Sequence, residues 1–181
     1  FVDSLLGPEM RSTGEVMGID KDFPTAFAKS QAGSGSALPV SGTVFVSVAD
    51  RDKPQLLLPV RRLDQLGYRI LATEGTALML ARHGIKAESV IKHSQAKDGE
   101  TSIVDMITDG LVDVVVNTPS GADARVDGYE IRAATTAADK PIFTTVAQLS
   151  AAIGSFEVIR EGPFSVKPLQ DYARERAGLL T

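Results

Sequence analysis

The chain has 181 residues, 43% of them hydrophobic and 23% charged, with a mean hydropathy of +0.03, a balance that buries one ordinary core plus an appendage and excludes disordered and fibrous classes. With no cysteine and two histidines, disulfides, a thiol nucleophile, thiolate metal sites and histidine-rich metal clusters are excluded, so any metal would rest on carboxylates. A net charge of −4 and a pI near 5.2 argue against nucleic acid as a partner, which needs a basic stripe, but leave a local pocket for a small anion open.

The opening Phe1-Val2-Asp3-Ser4 has neither the basic nor the apolar region of a signal peptide, and no apolar run approaches membrane-spanning length, so a cytoplasmic protein without membrane contact is expected. Residues 1–20 hold three glycines and one proline without helical or strand periodicity and read as loops cut from something larger. Pro24 opens a short helix, PTAFAKSQA, and the small residues Gly33 to Ala37 followed by Pro39 read as a linker. The domain boundary falls there, giving residues 1–35 as an N-terminal remnant with linker and residues 36–181 as the main domain. Without its partner domain, the remnant is expected to be poorly ordered or packed in a non-native way.

From Gly42 a regular alternation begins. Strand TVFVSVA leads to helix LLLPVRRLDQLG, YRILAT to TALMLARHG, ESVIK to TSIVDMITDG, VDVVVNT to GYEIRAATTAADK, and PIFTT to VAQLSAAIG. Gly67, Gly84, Gly110 and Gly154 read as helix stops. Short, nearly continuous apolar strands between helices predict an α/β fold, a doubly wound parallel sheet of five strands. A last helix, LQDYARERAG, is expected to pack Leu169, Tyr172 and Ala173 onto the body.

In such a sheet ligands sit beyond the carboxyl ends of the strands. The residues just after each strand are therefore the candidates: Ser47, Asp50, Arg51 and Lys53; Thr73 to Thr76; Lys92, His93 and Ser94; Asn117, Thr118, Pro119, Ser120 and Gly121; and Thr144 with Thr145. Thr73 and Thr76 flank a glycine where a strand gives way to a helix. There they either cap the helix or offer hydroxyls and backbone N–H groups to an anion. Lys53, Lys92, Ser47, Thr118 and Ser120 converge on the same end, and cations, hydroxyls and a helix terminus are the ingredients of a phosphate site. His83 reads as a helix-end residue, and Asp98 as either a turn residue or a general base. Glu9, Arg11 and Glu15 belong to a charged set that cannot close without further chain. AGSGSALP runs from helix into strand, the reverse of a dinucleotide fingerprint.

Two sets of residues carry a resemblance to a known family. LLGPEMRSTGEVMGID, residues 5–20, closely resembles a signature near the end of the second ATP-grasp unit of the carbamoyl phosphate synthetase large-chain family. SGTVFVSVADRDK, LATEGTA, VIKH, VVVNTPSG and IFTT are similar, in order, to that family's methylglyoxal synthase-like regulatory domain. The resemblance implies the C-terminal, allosteric part of a glutamine-dependent ligase that serves arginine and pyrimidine biosynthesis in the cytoplasm. The parent would use ATP with magnesium or manganese and partner a glutaminase small subunit, while this stretch would hold no catalytic residue, metal or cofactor of its own. The implied effector is a nucleotide monophosphate, UMP or IMP, with its phosphate on Ser47, Lys53, Thr73, Thr76, Lys92 and Asn117, joined by Thr118. Leu6, Asp127 and Thr144 resemble the lining of an ornithine site, and oligomer contacts are implied as well.

The chain departs from the family pattern at Pro119, where a hydroxyl residue is usual, and in a longer loop after the third strand, KHSQAKDGETSIVDMI. A methylglyoxal synthase-type lyase, eliminating phosphate with Asp98 as base, is the alternative enzyme, although the GGDQ-like loop of such enzymes is absent. A domain kept only for subunit contacts is the third possibility.

Overall fold

Five apolar stretches line up in the same direction in the computed structural model, which describes residues 16–97, 99–118 and 124–178, with His93 and residues 124–127 described at the backbone only. The strands are β1 (Thr43–Ser47), β2 (Arg69–Thr73), β3 (Glu88–Val90), β4 (Val114–Asn117) and β5 (Ile142–Phe143). The helices are α1 (Phe23–Gly33), α2 (Lys53–Gln65), α3 (Glu74–Arg82), α4 (Ile103–Thr108), α5 (Ala124–Ala137), α6 (Val146–Glu161) and α7 (Leu169–Arg176). All pairings are parallel and the strand order is β3-β2-β1-β4-β5, the doubly wound arrangement expected.

Alternation along each strand splits the core into two layers. Val44, Val46, Ile70, Ala72, Val114 and Val116 face α2, α3 and α6, meeting Leu56, Val60, Leu63, Leu80, Leu149 and Phe156. Phe45, Leu71 and Val115 face the opposite side, meeting Ile103 and Ile107 of α4 and Ile131 of α5. Strands buried on both faces need apolar residues at every position, which is why β1, β2 and β4 read as continuous runs. The chain steps outward from β1 to β3, then returns through α4 to place β4 on the other flank of β1. The direction of winding thus reverses between β1 and β4, where a crevice opens outside the carboxyl ends. Ser47 and Asn117, the last residues of the two strands, are register partners at that point.

Several boundaries differ from expectation, each for a physical reason. Gly154 does not stop its helix: α6 continues to Glu161 and ends at Gly162, whose φ of 140° suits glycine. A Cβ on Gly154 would lie 2.8 Å from Pro24 Cγ, so this glycine is a notch that lets α1 seat against α6. Ser155 Oγ donates to the Pro24 carbonyl at 2.6 Å in the same contact. Asp22 caps α1 through the Thr25 N–H at 2.9 Å and Ala28 is buried, while residues 1–15 of the expected remnant lie outside the described residues. Helix α5 begins before Gly128, and α2 begins at Lys53 rather than at the leucines.

Helix α7 buries no residue; Leu169 and Ala173 are exposed, contrary to expectation, and Tyr172 alone of the three reaches back. Its hydroxyl accepts from Lys29 Nζ at 3.0 Å, and Lys29 also pairs with Asp20 at 2.5 Å, holding that carboxyl below its usual range. Lys167 Nζ lies 4.3 Å from the centre of the Tyr172 ring. No helix among the described residues is long and apolar enough to cross a membrane.

Candidate functional site

The ends of β1, β2, β3 and β4 each deliver one side of a common cleft. β1 ends at Ser47, and Val48 and Ala49 lead into a 3-10 turn, Asp50–Asp52, that runs directly into α2 at Lys53. Lys53 Nζ pairs with Asp50 Oδ1 at 2.7 Å and lies 3.4 Å from where a Cβ on Gly75 would stand. The ammonium therefore spans the gap between the starts of α2 and α3. Its hydrogen bond holds the Asp50 carboxyl below the usual range. The Asp50 side chain is 93% exposed, so the pair contributes little and Lys53 can exchange it for an incoming anion without stranding a buried charge.

β2 ends at Thr73, the N-cap of α3, yet its side chain makes no capping hydrogen bond. Thr76 is not a cap either. It lies inside the first turn, is 1% exposed, and accepts a long 3.3 Å hydrogen bond from Thr73 Oγ1. With neither hydroxyl spent on capping, the start of α3 offers two hydroxyls beside the N–H groups that every helix start leaves unmatched. β3 is followed by Lys92, immediately before a 3-10 turn, His93–Gln95.

β4 ends at Asn117 and Thr118. Thr118 N donates to the Ser47 carbonyl at 3.1 Å, and its hydroxyl oxygen accepts from Ala49 N at 2.9 Å, which ties the exit of β4 to the exit of β1. Asn117 is buried, and its Oδ1 accepts from Arg132 Nη1 of α5 at 3.3 Å. The enclosed space is about 340 Å³, and all seven residues named for an effector phosphate line it: Ser47, Lys53, Thr73, Thr76, Lys92, Asn117 and Thr118.

The ornithine positions are not gathered there. Thr144 stands beyond β5 with its N–H and hydroxyl on Gln148 Oε1 at 3.1 and 3.2 Å, outside the cleft lining. Asp127 is placed on α5 by its backbone, and Leu6 lies outside the described residues, as do Glu9, Arg11, Glu15, Asp98, Pro119, Ser120 and Gly121. His83 occupies the C-cap of α3, with Nδ1 2.9 Å from the Met79 carbonyl, as its position before Gly84 suggests. Sequence reasoning misses Gln95, Gly128 and Ile131, which also line the cleft. In the sequence Gly128 opens the predicted helix GYEIRAATTAADK; because α5 starts earlier, at Ala124, it lies inside that helix instead. Among the described residues no three acidic or histidine side chains are gathered as cation ligands.

The model of the MGS-like domain family matches residues 55–144. The carbamoyl phosphate synthase large chain of Clavibacter sepedonicus is 65% identical over 178 residues, covering 97% of this chain. Those of Beutenbergia cavernae and Micrococcus luteus are 60% and 54% identical over 182 and 173 residues, covering 99% and 94% of it. The chain spans 16% of the length of each of these relatives. Such identity along nearly all of its residues, over a sheet and crevice of the expected kind, makes this chain a member of the carbamoyl phosphate synthase large-chain family that carries its MGS-like domain.

Proposed function

We propose that the cleft binds the phosphate of a nucleoside monophosphate, UMP or IMP, and that this chain is the allosteric part of a glutamine-dependent carbamoyl phosphate synthase large subunit. The observation that carries the reading is the meeting of two lysines, Lys53 and Lys92, with the buried hydroxyls of Thr73 and Thr76 at the N-terminus of α3. Ionised oxygens gain most from such a set, because charge-assisted hydrogen bonds are roughly twice as strong as neutral ones. The parent enzyme would make carbamoyl phosphate from bicarbonate, glutamine-derived ammonia and ATP with magnesium or manganese, for arginine and pyrimidine synthesis in the cytoplasm. Residues 1–35 would include the end of its second ATP-grasp unit, and Leu6, Asp127 and Thr144 would contribute to an ornithine site. The rest of the large chain, the glutaminase small subunit and oligomer contacts would be its protein partners.

An effector acts only through different affinities for two states of the whole enzyme, typically about 1–3 kcal/mol of coupling. Calorimetric titration of the chain with UMP, IMP and inorganic phosphate tests the binding step. Nucleotide-selective binding supports the proposal. Binding of phosphate alone leaves an anion site and removes UMP and IMP as its effectors, and no binding at all refutes the reading.

A further inference from the structure

Besides its two lysines, the cleft carries two carboxylates among the described residues, Asp50 and Glu74. An ionised carboxylate only accepts hydrogen bonds, so it opposes a fully charged anion rather than helping to hold it. Asp50 stands against the very cation that an anion would seek. Its Oδ1 lies 2.7 Å from Lys53 Nζ, and that ammonium reaches the start of α3, 3.4 Å from where a Cβ on Gly75 would be. Charge-assisted bonds of this kind span about 2.8 Å, so an oxygen on a second N–H of Lys53 would come within about 5 Å of Asp50 Oδ1. The Asp50 side chain is 93% exposed and free of packing, which lets it close the remaining gap to a neighbouring oxygen of the same phosphate.

What Asp50 can do there depends on a proton. The hydrogen bond from Lys53 keeps its carboxyl ionised, so Asp50 can accept but not donate. A phosphate monoester loses its second proton only near pH 6, and until then it carries an O–H that such an acceptor can take. The bond that results, O–H to carboxylate oxygen, belongs to the short and strong class of about 2.5–2.7 Å. Sulfate has the same tetrahedral shape but holds no proton near neutrality. It would face Asp50 with charged oxygen against charged oxygen and no hydrogen between them. Lys53, Lys92 and the hydroxyls of Thr73 and Thr76 can donate to either anion, so they do not tell the two apart.

We infer that Asp50 is a specificity-determining residue that accepts a hydrogen bond from the protonated oxygen of a phosphate, so that the cleft takes phosphates and rejects sulfates of the same shape. The inference rests on the phosphate reading above and adds the form in which that group is held, a monoanion that keeps one hydrogen.

Calorimetry on the full chain at pH 6, with inorganic phosphate, UMP and sulfate as probes, tests it. The wild-type protein should prefer phosphate to sulfate by about tenfold or more. Asp50→Asn places an amide there that donates to either anion. It should cut that preference by about fivefold or more, chiefly through a gain in sulfate affinity, while UMP still binds. Its unfolding curve should match the wild type, because the pair it removes is open to solvent. Asp52→Asn removes the same charge from the same turn, yet Asp52 meets Arg51 at 3.7 Å and makes no capping bond through its side chain, so the wild-type preference should remain. Equal affinity of the wild type for phosphate and sulfate, an unchanged preference in Asp50→Asn, or an equal drop in Asp52→Asn overturns the inference while the phosphate site stands. Failure of the wild-type chain to bind phosphate or UMP overturns the phosphate reading and this inference with it.

Discussion

Tyr68 should make the protein lose stability in a defined alkaline window. Its ring is 3% exposed, packs edge-on against Phe156 at 5.4 Å, and its hydroxyl donates to the Pro39 carbonyl at 2.5 Å. Burial pushes the hydroxyl from 10.0 up to about 12, with Asp113 adding to the rise and Arg160 opposing it. Because the folded value lies above the unfolded one, the contribution is whole below pH 10 and is lost between about pH 10 and pH 12. A shift of about two units corresponds to about 2.7 kcal/mol. Tyr68→Phe keeps the ring but removes the ionisable group and the bond to Pro39, which costs about 1 kcal/mol at neutral pH. The two stability curves should therefore cross near pH 11, with the variant the more stable by about 1.7 kcal/mol once Tyr68 is ionised in both states. Urea unfolding followed by circular dichroism at a series of pH values reads this directly. The other titrating groups are shared, so they cancel in the difference. A constant gap between the two proteins from pH 8 to pH 12 would refute the reasoning.

Thr76→Val and Lys92→Ala should each weaken nucleotide binding at least tenfold, since a hydrogen bond to a charged partner contributes about 1.5–3 kcal/mol, and calorimetry with UMP checks it. Unfolding curves for both should stay within about 1 kcal/mol of wild type, because valine is close in shape to threonine and Lys92 is only half-buried. Phe156→Ala should cost about 3–5 kcal/mol in chemical denaturation, as the ring is fully buried between Tyr68 and Phe143. Tyr172→Phe should leave the unfolding midpoint of the body unchanged yet speed tryptic cleavage at Arg174 and Arg176, because the hydroxyl bridging to Lys29 is the main tie of α7.

How far the sequence can be read depends on whether a signal is local. Parallel strands such as β4, with valine at three successive positions before Asn117, are apolar on both faces because both are covered, and that pattern is visible without coordinates. The seven cleft residues are legible for a topological reason, since doubly wound sheets bring strand ends together. What fails is punctuation. Gly154 reads as a helix stop and Gly128 as a helix start, yet both sit within helices, one against Pro24 and the other beside Asn117 and Arg132. A glycine kept for close approach and one kept for a turn differ only in what comes near them, which neighbouring residues along the chain do not encode. The same limit hides Arg132, whose partner is 15 residues away, and misplaces Leu169 and Ala173, whose helix buries no residue.

The pairing of Ser47 with Asn117 also has a temporal side. These register partners are about 70 residues apart, and a ribosome adding about 5–20 residues each second leaves β1 waiting several seconds for β4. During that interval the central strand has β2 on one side and an open hydrogen-bonding edge on the other, the condition in which nascent chains associate wrongly. The crevice closes only when β4 arrives, so competence to hold an anion there is acquired late and all at once, and ligand capture by newly made chains would serve as a clock for completion of the sheet.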